Sequence, residues 1–201
     1  RNVLVIGGGD TGSDCLGTEL RQKAQKVYQF EIMAKPPVER PERTPWPMWP
    51  DVLKETSSHQ EGGDRRWCVS TKEFTGSNGR LEALHCVEVE WFKGQSGRME
   101  FKEKAGTDFE VRAQLVLLSM GFTGPGPNKL ADDLHIERDS RNNIKKNENH
   151  MTSVDGVFAA GDMAKGQSLV VRAIADGRAT AFGIIQYLEK KRGNKMGGGK
   201  Q

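Results

Sequence analysis

Val3-Leu4-Val5-Ile6-Gly7-Gly8-Gly9-Asp10-Thr11-Gly12 is the stretch whose reading decides the fold. Four branched apolar residues predict a buried parallel strand, and a glycine turn follows at once. Ser13 to Lys23 then reads as a helix with Cys15, Leu16 and Leu20 on one side. Gly7, Gly9 and Gly12 fit the spacing of a dinucleotide-binding turn. The first allows the tight turn, the second lets a pyrophosphate approach the backbone, and the third lets helix pack close to strand. The helix N-terminus offers unpaired N–H groups and a positive dipole end to the phosphates. The whole turn, with Gly8, Asp10 and Thr11 included, is a candidate cofactor site.

A second parallel strand is expected over Gln25 to Met33, completing a βαβ unit. Glu31 falls about 20 residues beyond the glycine turn, where an acid accepts from the ribose hydroxyls of NAD. Lys35, Arg40 and Arg43 follow directly, and basic residues there accommodate the 2′-phosphate of NADP. The cofactor choice, NADPH or NADH, stays open on these residues. From Pro36 to Pro50 six prolines in fifteen residues forbid a regular helix or central strand. Trp46, Met48 and Trp49 mark this stiff segment as one that packs on a surface, over the cofactor cleft or a neighbouring domain, or that closes the core. Asp51 is placed to cap a short helix from Val52 to Gln60.

From Arg66 to Arg112 short alternating strands separated by Gly-rich turns predict an antiparallel β-meander whose role is to cover one face of the parallel sheet. Gln114 to Met120 reads as a last buried parallel strand, and Gly121 after it lets the backbone pass close to a ligand. Lys129 to Leu134 predicts a short helix, followed by a small hairpin. Val157 to Ala160 reads as a short buried strand ending in Gly161-Asp162. A long helix then starts near Ser168 and runs to about Arg192, with Leu169, Ala173, Ile174, Phe182, Ile185 and Leu188 at near-helical spacing. Such a strand-Gly-Asp-helix unit can aim a carboxylate and a helix N-terminus at one ligand; an ordinary turn with an aspartate cap has the same pattern. Gly193 to Gln201 reads as a flexible tail.

The 201 residues suffice for one large domain or for one domain and part of another. A net charge of +3, with bases scattered among acids, argues against nucleic acid as a partner. The longest apolar run, Leu115 to Leu118, is far too short to cross a bilayer, and no signal peptide precedes Val3. No membrane association and a cytoplasmic location are expected. Cys15, Cys68 and Cys86 form no CxxC pair, and the histidines show no metal spacing, so neither a cluster nor a metal site is expected in this chain. No GxSxG or other triad signature points to hydrolysis.

Taken together, Gly7 to Cys15, Phe30-Glu31-Ile32-Met33, Pro45-Trp46-Pro47-Met48-Trp49-Pro50, Leu115 to Pro125 and Val157 to Ala175 resemble the small (beta) subunit family of glutamate synthase, within the two-dinucleotide-binding flavin oxidoreductases. The resemblance implies an α/β fold. A Rossmann-like NAD(P)-binding domain with a parallel sheet and an antiparallel β-meander insert would occupy 1–121. A C-terminal segment of an FAD-binding domain would occupy 122–192, and the tail 193–201. It further implies that Gly161, Asp162, Gln167, Ser168, Leu169 and Val170 approach FAD, with Asp162 on the ribityl or phosphate region and the helix start near the flavin ring. NAD(P)H would reduce FAD, and electrons would pass through iron–sulfur centres to the glutamate synthase large subunit, which makes glutamate from 2-oxoglutarate and glutamine-derived ammonia. Hydride transfer depends on orientation, so no catalytic side chain is named. The family's amino-terminal half, with its first FAD fingerprint and cluster cysteines, is not in this sequence. The chain alone is therefore expected to hold FAD poorly and to lack NAD(P)H oxidation. A related flavoprotein with another electron acceptor, or a dinucleotide-binding module without chemistry, are the alternatives.

Overall fold

The pattern of branched apolar residues separated by turns and one amphipathic helix builds a two-sheet unit. A computed structural model describes residues 1–197 of the chain. The chain divides into two compact units, Arg1–Gly121 and Phe122–Gln201.

In the first unit, β1 (Asn2–Ile6), β2 (Lys26–Glu31), β3 (Asp64–Trp67) and β8 (Leu115–Leu118) form a parallel sheet in the order β3-β2-β1-β8. Helix α1 (Asp10–Arg21) connects β1 to β2, beginning three residues earlier than the pattern predicts. Alternation along β1 sends Leu4 and Ile6 to one face and Val5 to the other. Leu4 and Phe30 pack with Val69, Leu84, Cys86 and Val111, while Val5 and Val27 pack with Leu16 of α1. Both faces of the central strands are thus buried, as parallel strands require. The first face is covered by β4 (Val69–Ser77), β5 (Arg80–Lys93) and β7 (Phe109–Arg112), while β6 (Met99–Glu103), exposed throughout, extends this antiparallel layer, in which β5 pairs with the other three.

Four expectations in this unit change. Trp67 does not lead into the meander, because it ends β3, paired in register with Glu31 of β2. Cys68, at a φ of 57°, breaks the strand, and Val69 starts afresh in the antiparallel sheet. The segment Val52 to Gln60 is helical only over α2 (Ser57–Gln60), where Thr56 rather than Asp51 is the cap and forms a reciprocal capping box with His59. Strand β8 is partly rather than fully buried, since it lies at the sheet edge with Leu118 exposed. Trp46 and Trp49 are 83% and 73% exposed, so they do not close the core.

The second unit has a small core of Ala131, Ile144 and Ala159. Its helices are α3 (Lys129–Asp133), α4 (Asp162–Lys165) and α5 (Val170–Gly197). The expected strand at Val157 is reduced to one antiparallel bridge between Met151 and Phe158. Helix α5 continues past Arg192 to Gly197, so the expected tail is helical in its first part, and 198–201 lie outside the described residues. Several large apolar residues along α5 do not face inward in this unit. Leu169 before it and Ile174, Phe182, Ile185 and Leu188 along it are exposed, while Asp176 and Thr180 are buried.

Candidate functional site

The carboxyl ends of β1, β2, β3 and β8 share one edge of the parallel sheet, the edge where open α/β sheets bind ligands. The glycine turn leaves β1 there. Gly7 has a φ of 122°, and a Cβ on it would collide with the Ser119 carbonyl beyond β8. At Gly12 a Cβ would collide with the Gly7 carbonyl, so helix and turn touch backbone to backbone. Gly9 is different: a Cβ would meet nothing within 4 Å, which leaves the turn open on its outer side. It is also the N-cap of α1 and supplies no side-chain cap, so the first N–H groups of the helix remain available to a ligand.

Side chains from β2 hold this turn from beneath. Buried Gln29 donates through Nε2 to the Gly7 carbonyl at 3.0 Å, and its Oε1 lies 3.1 Å from His59 Nε2. Burial, with the nearby Arg65 charge, lowers the His59 pKa, and Glu55 opposes the shift. Glu31 accepts the Gly8 N–H at 2.7 Å and the Met33 N–H at 3.0 Å, one on each carboxylate oxygen.

Two clefts meet at Gly8, Gly9 and Glu31. The inner one, about 580 Å³, lies between Ile6, Ile32, Val69, Phe74, Leu118 and Ser119 to Gly121. The meander was expected only to cover the sheet, but its β4 forms a wall of this cleft through Val69 to Thr71 and Phe74. The outer cleft, about 680 Å³, is bordered by Lys35, Arg43, Arg65 and Trp67. Both volumes lie in the range of small-molecule sites.

Gly7, Gly8, Gly9, Glu31 and Gly121 are therefore brought together in the inner cleft, and Lys35 and Arg43 join Gly8, Gly9 and Glu31 in the outer one. Asp10 and Thr11 are exposed in the first turn of α1, while Gly12 is buried under it. Arg40 is not brought to the cleft. Its Nη1 donates to the carbonyls of Thr44 and Met48, 3.0 and 3.1 Å away, and so closes the proline-rich segment on itself. Arg65 and Trp67 were missed in the sequence, because neither stands in the segment after β2 where basic partners are sought.

In the second unit, Asp162 and Gln167 share a hollow of about 300 Å³ with Phe122, Gly124 and Pro125. Ser168, Leu169 and Val170 are exposed as the chain enters α5. Gly161, at a φ of 65°, donates its N–H to Asp176 Oδ2 at 2.8 Å. Lys146 Nζ donates to the same oxygen at 2.7 Å, and Lys165 Nζ lies 2.8 Å from Oδ1 as a charge partner. Burial raises the Asp176 pKa, but the hydrogen bonds from Lys146, Lys165 and the Gly161 N–H outweigh it and hold the carboxyl well below the usual range. Among the described residues no group of three or more acidic, histidine or cysteine side chains could hold a metal ion. Also among them, no helix is long and apolar enough to cross a membrane.

Residues 1–177 match the family model described as pyridine nucleotide-disulphide oxidoreductase. The glutamate synthase (NADPH) small chain of Mycobacterium tuberculosis strain H37Rv is 48% identical over 188 residues, covering 94% of this chain and 38% of that one. The glutamate synthase (NADPH) small chain of Bacillus subtilis is 38% identical over 195 residues, 94% of this chain and 39% of its own. The glutamate synthase (NADH) of Saccharomyces cerevisiae is 41% identical over 197 residues, 94% of this chain and 9% of its own. The chain thus spans well under half the length of these relatives. Among solved structures, Mycobacterium tuberculosis FprA in complex with NADPH superposes with a TM-score of 0.65 at 16% identity, over 97% of this chain and 54% of that one. Thioredoxin reductase of T. acidophilum gives 0.56 at 19% identity, over 94% and 52%. At these identities the likeness is one of fold.

Proposed function

The chain belongs to the pyridine nucleotide-disulphide oxidoreductase family, and we propose that its first unit binds NAD(P)H across the glycine turn. The observation that carries this reading is the junction of the two clefts at an uncapped helix N-terminus. On this reading the N–H groups at the start of α1 take the pyrophosphate. The outer cleft, beside Glu31 and the basic residues, takes the adenosine half. The inner cleft, with its apolar walls and the positive-φ Gly121, takes the nicotinamide half. When bound, the nicotinamide would supply a hydride for a flavin acceptor. The chain orients the donor and excludes water with Ile6, Ile32, Phe74 and Leu118; no side chain acts as acid or base.

We further propose that the whole protein is the flavin-dependent subunit of a glutamate synthase, oxidising NAD(P)H and delivering electrons to a large subunit that forms glutamate. The support is the identity, over nearly all of this chain, to proteins named glutamate synthase small chain. Residues 1–121 are on this reading the NAD(P)H-binding domain, and 122–192 a segment of an FAD-binding domain. Gly161, Asp162, Gln167, Ser168, Leu169 and Val170 would face FAD. An exposed carboxylate, an amide and a helix start fit the hydroxyls and ring edge of such a group. The amino-terminal half of the relatives would complete that site, and the cytoplasm is the compartment that suits the role.

Gly9→Ala tests the first proposal cleanly. Gly9 has an extended φ of −79° with open space beyond it, so alanine should leave stability within about 0.5 kcal/mol. Its methyl group would stand where the pyrophosphate approaches and should weaken NADPH binding by about tenfold or more. Unchanged affinity in this variant overturns the assignment. For the larger proposal, anaerobic NADPH should bleach the flavin absorbance of the full-length protein; a flavin that stays oxidised contradicts it.

A further inference from the structure

Four cations border the outer cleft; Arg43 is already spent, since it pairs with Asp51, and Lys54 lies over the Trp49 ring, 4.4 Å from its centroid. Lys35 and Arg65 have no ion-pair partner among the described residues. Their contacts are instead with Trp67: Lys35 Nζ and the Arg65 guanidinium each lie over its ring, 4.9 Å from the centroid. Arg65 also donates from Nη2 to the Lys54 carbonyl at 3.4 Å. Its side chain is half-buried, and burial lowers its pKa against the opposing influence of Glu55. A partly desolvated cation without an ion-pair partner is costly, and a second one beside it adds repulsion. An arrangement of this kind is relieved by an anion carrying more than one charge.

The position of that anion follows from β-sheet register. Trp67 is paired with Glu31, and Arg65 with Gln29, the two β2 residues that hold the glycine turn. The cations therefore stand beside the end of β2, where the ribose of a nucleotide lies when its pyrophosphate rests on the helix N-terminus. Glu31, the residue that would favour an unphosphorylated ribose, already accepts a backbone N–H on each oxygen.

We propose that Arg65 and Lys35, placed by the Trp67 ring, read the 2′-phosphate of an NADP-type nucleotide. The inference rests on the outer cleft being the adenosine side of the dinucleotide site. Arg65 supplies a planar fork for two phosphate oxygens and Lys35 a point charge for the third.

The test uses 2′,5′-ADP and 5′-AMP, two probes that differ only in the 2′-phosphate, titrated calorimetrically into the protein. The expected result is binding of 2′,5′-ADP about tenfold or more tighter than 5′-AMP, a preference that Arg65→Gln and Lys35→Gln each reduce about tenfold. Affinity for 5′-AMP should be unchanged in both variants, which also reports that the cleft is intact. Lys35 is exposed, so its variant removes the charge without disturbing the fold. Equal affinity for the two probes, or a preference that survives both substitutions, overturns the proposal and leaves the dinucleotide site standing. Binding of neither probe overturns the adenosine assignment of the outer cleft itself.

Discussion

The two units hold their glycine turns in place by opposite means. In the first, the turn at Gly7 is an extension of a strand buried on both faces, and Leu4, Val5, Phe30 and Leu16 fix it with apolar contacts. In the second, the turn at Gly161 hangs on one buried carboxylate. Asp176 takes the Gly161 N–H and gathers Lys146 and Lys165, whereas Ile174, Phe182, Ile185 and Leu188 of α5 are exposed in this unit. The first turn is therefore chiefly sensitive to volume, although the Glu31 carboxylate also takes the Gly8 N–H. The second is sensitive to charge.

Substitutions should separate the two. Asp176→Asn leaves two lysines around a neutral amide, and breaking a buried pair of this kind costs about 3–5 kcal/mol. Urea denaturation of the variant checks this; a loss below about 1 kcal/mol would mean that the cluster behaves as surface charge. The same carboxylate sets an acid limit. Its folded-state pKa lies below the unfolded value of about 4, so its contribution is complete above that range and is lost as pH falls below it. Gly12→Ala probes volume in the first unit. It forces a methyl against the Gly7 carbonyl at an expected cost of about 1–3 kcal/mol, with NADPH binding weakened, and this cost should not vary with pH.

A smaller effect belongs to His59, a group near the first turn whose pKa burial lowers. Below about pH 6.5 the unfolded chain takes up a proton that folded His59 resists, so stability falls as pH drops through this range. In His59→Gln that slope should flatten, and an unchanged slope would assign it elsewhere. The smallest effect is expected at Trp46 and Trp49. Both are largely exposed, so alanine at either position should shift stability by no more than about 0.5 kcal/mol in a thermal melt.

How far the sequence could be read differs between the units for the same physical reason. The glycine turn was legible because all of its requirements are local: a branched apolar strand, three glycines at fixed spacing and a helix. Glu31, Lys35 and Arg43 were legible from their distance to that turn. Arg40 follows the same rule of proximity, but two carbonyls of the proline-rich segment claim its guanidinium. Arg65 obeys no local rule. It reaches the cleft because β3 pairs with β2, and Cys68 with its positive φ hides the break between β3 and the meander inside one continuous polar-aromatic run. Asp176 reads in sequence as an ordinary surface aspartate of a helix, since its lysine partners lie far away along the chain. The apolar positions of α5 were legible only as a face at near-helical spacing, because periodicity marks a face without saying what it packs against.

The central claim is that the turn between β1 and α1 is a working dinucleotide site, and amide-resolved NMR during titration with NADPH tests it most directly. The account predicts saturable shifts centred on the amides of Gly8, Gly9 and Asp10, extending to Gly121 on one side and Arg65 on the other. NADPH that binds without perturbing these amides, or that does not bind at all, would contradict it.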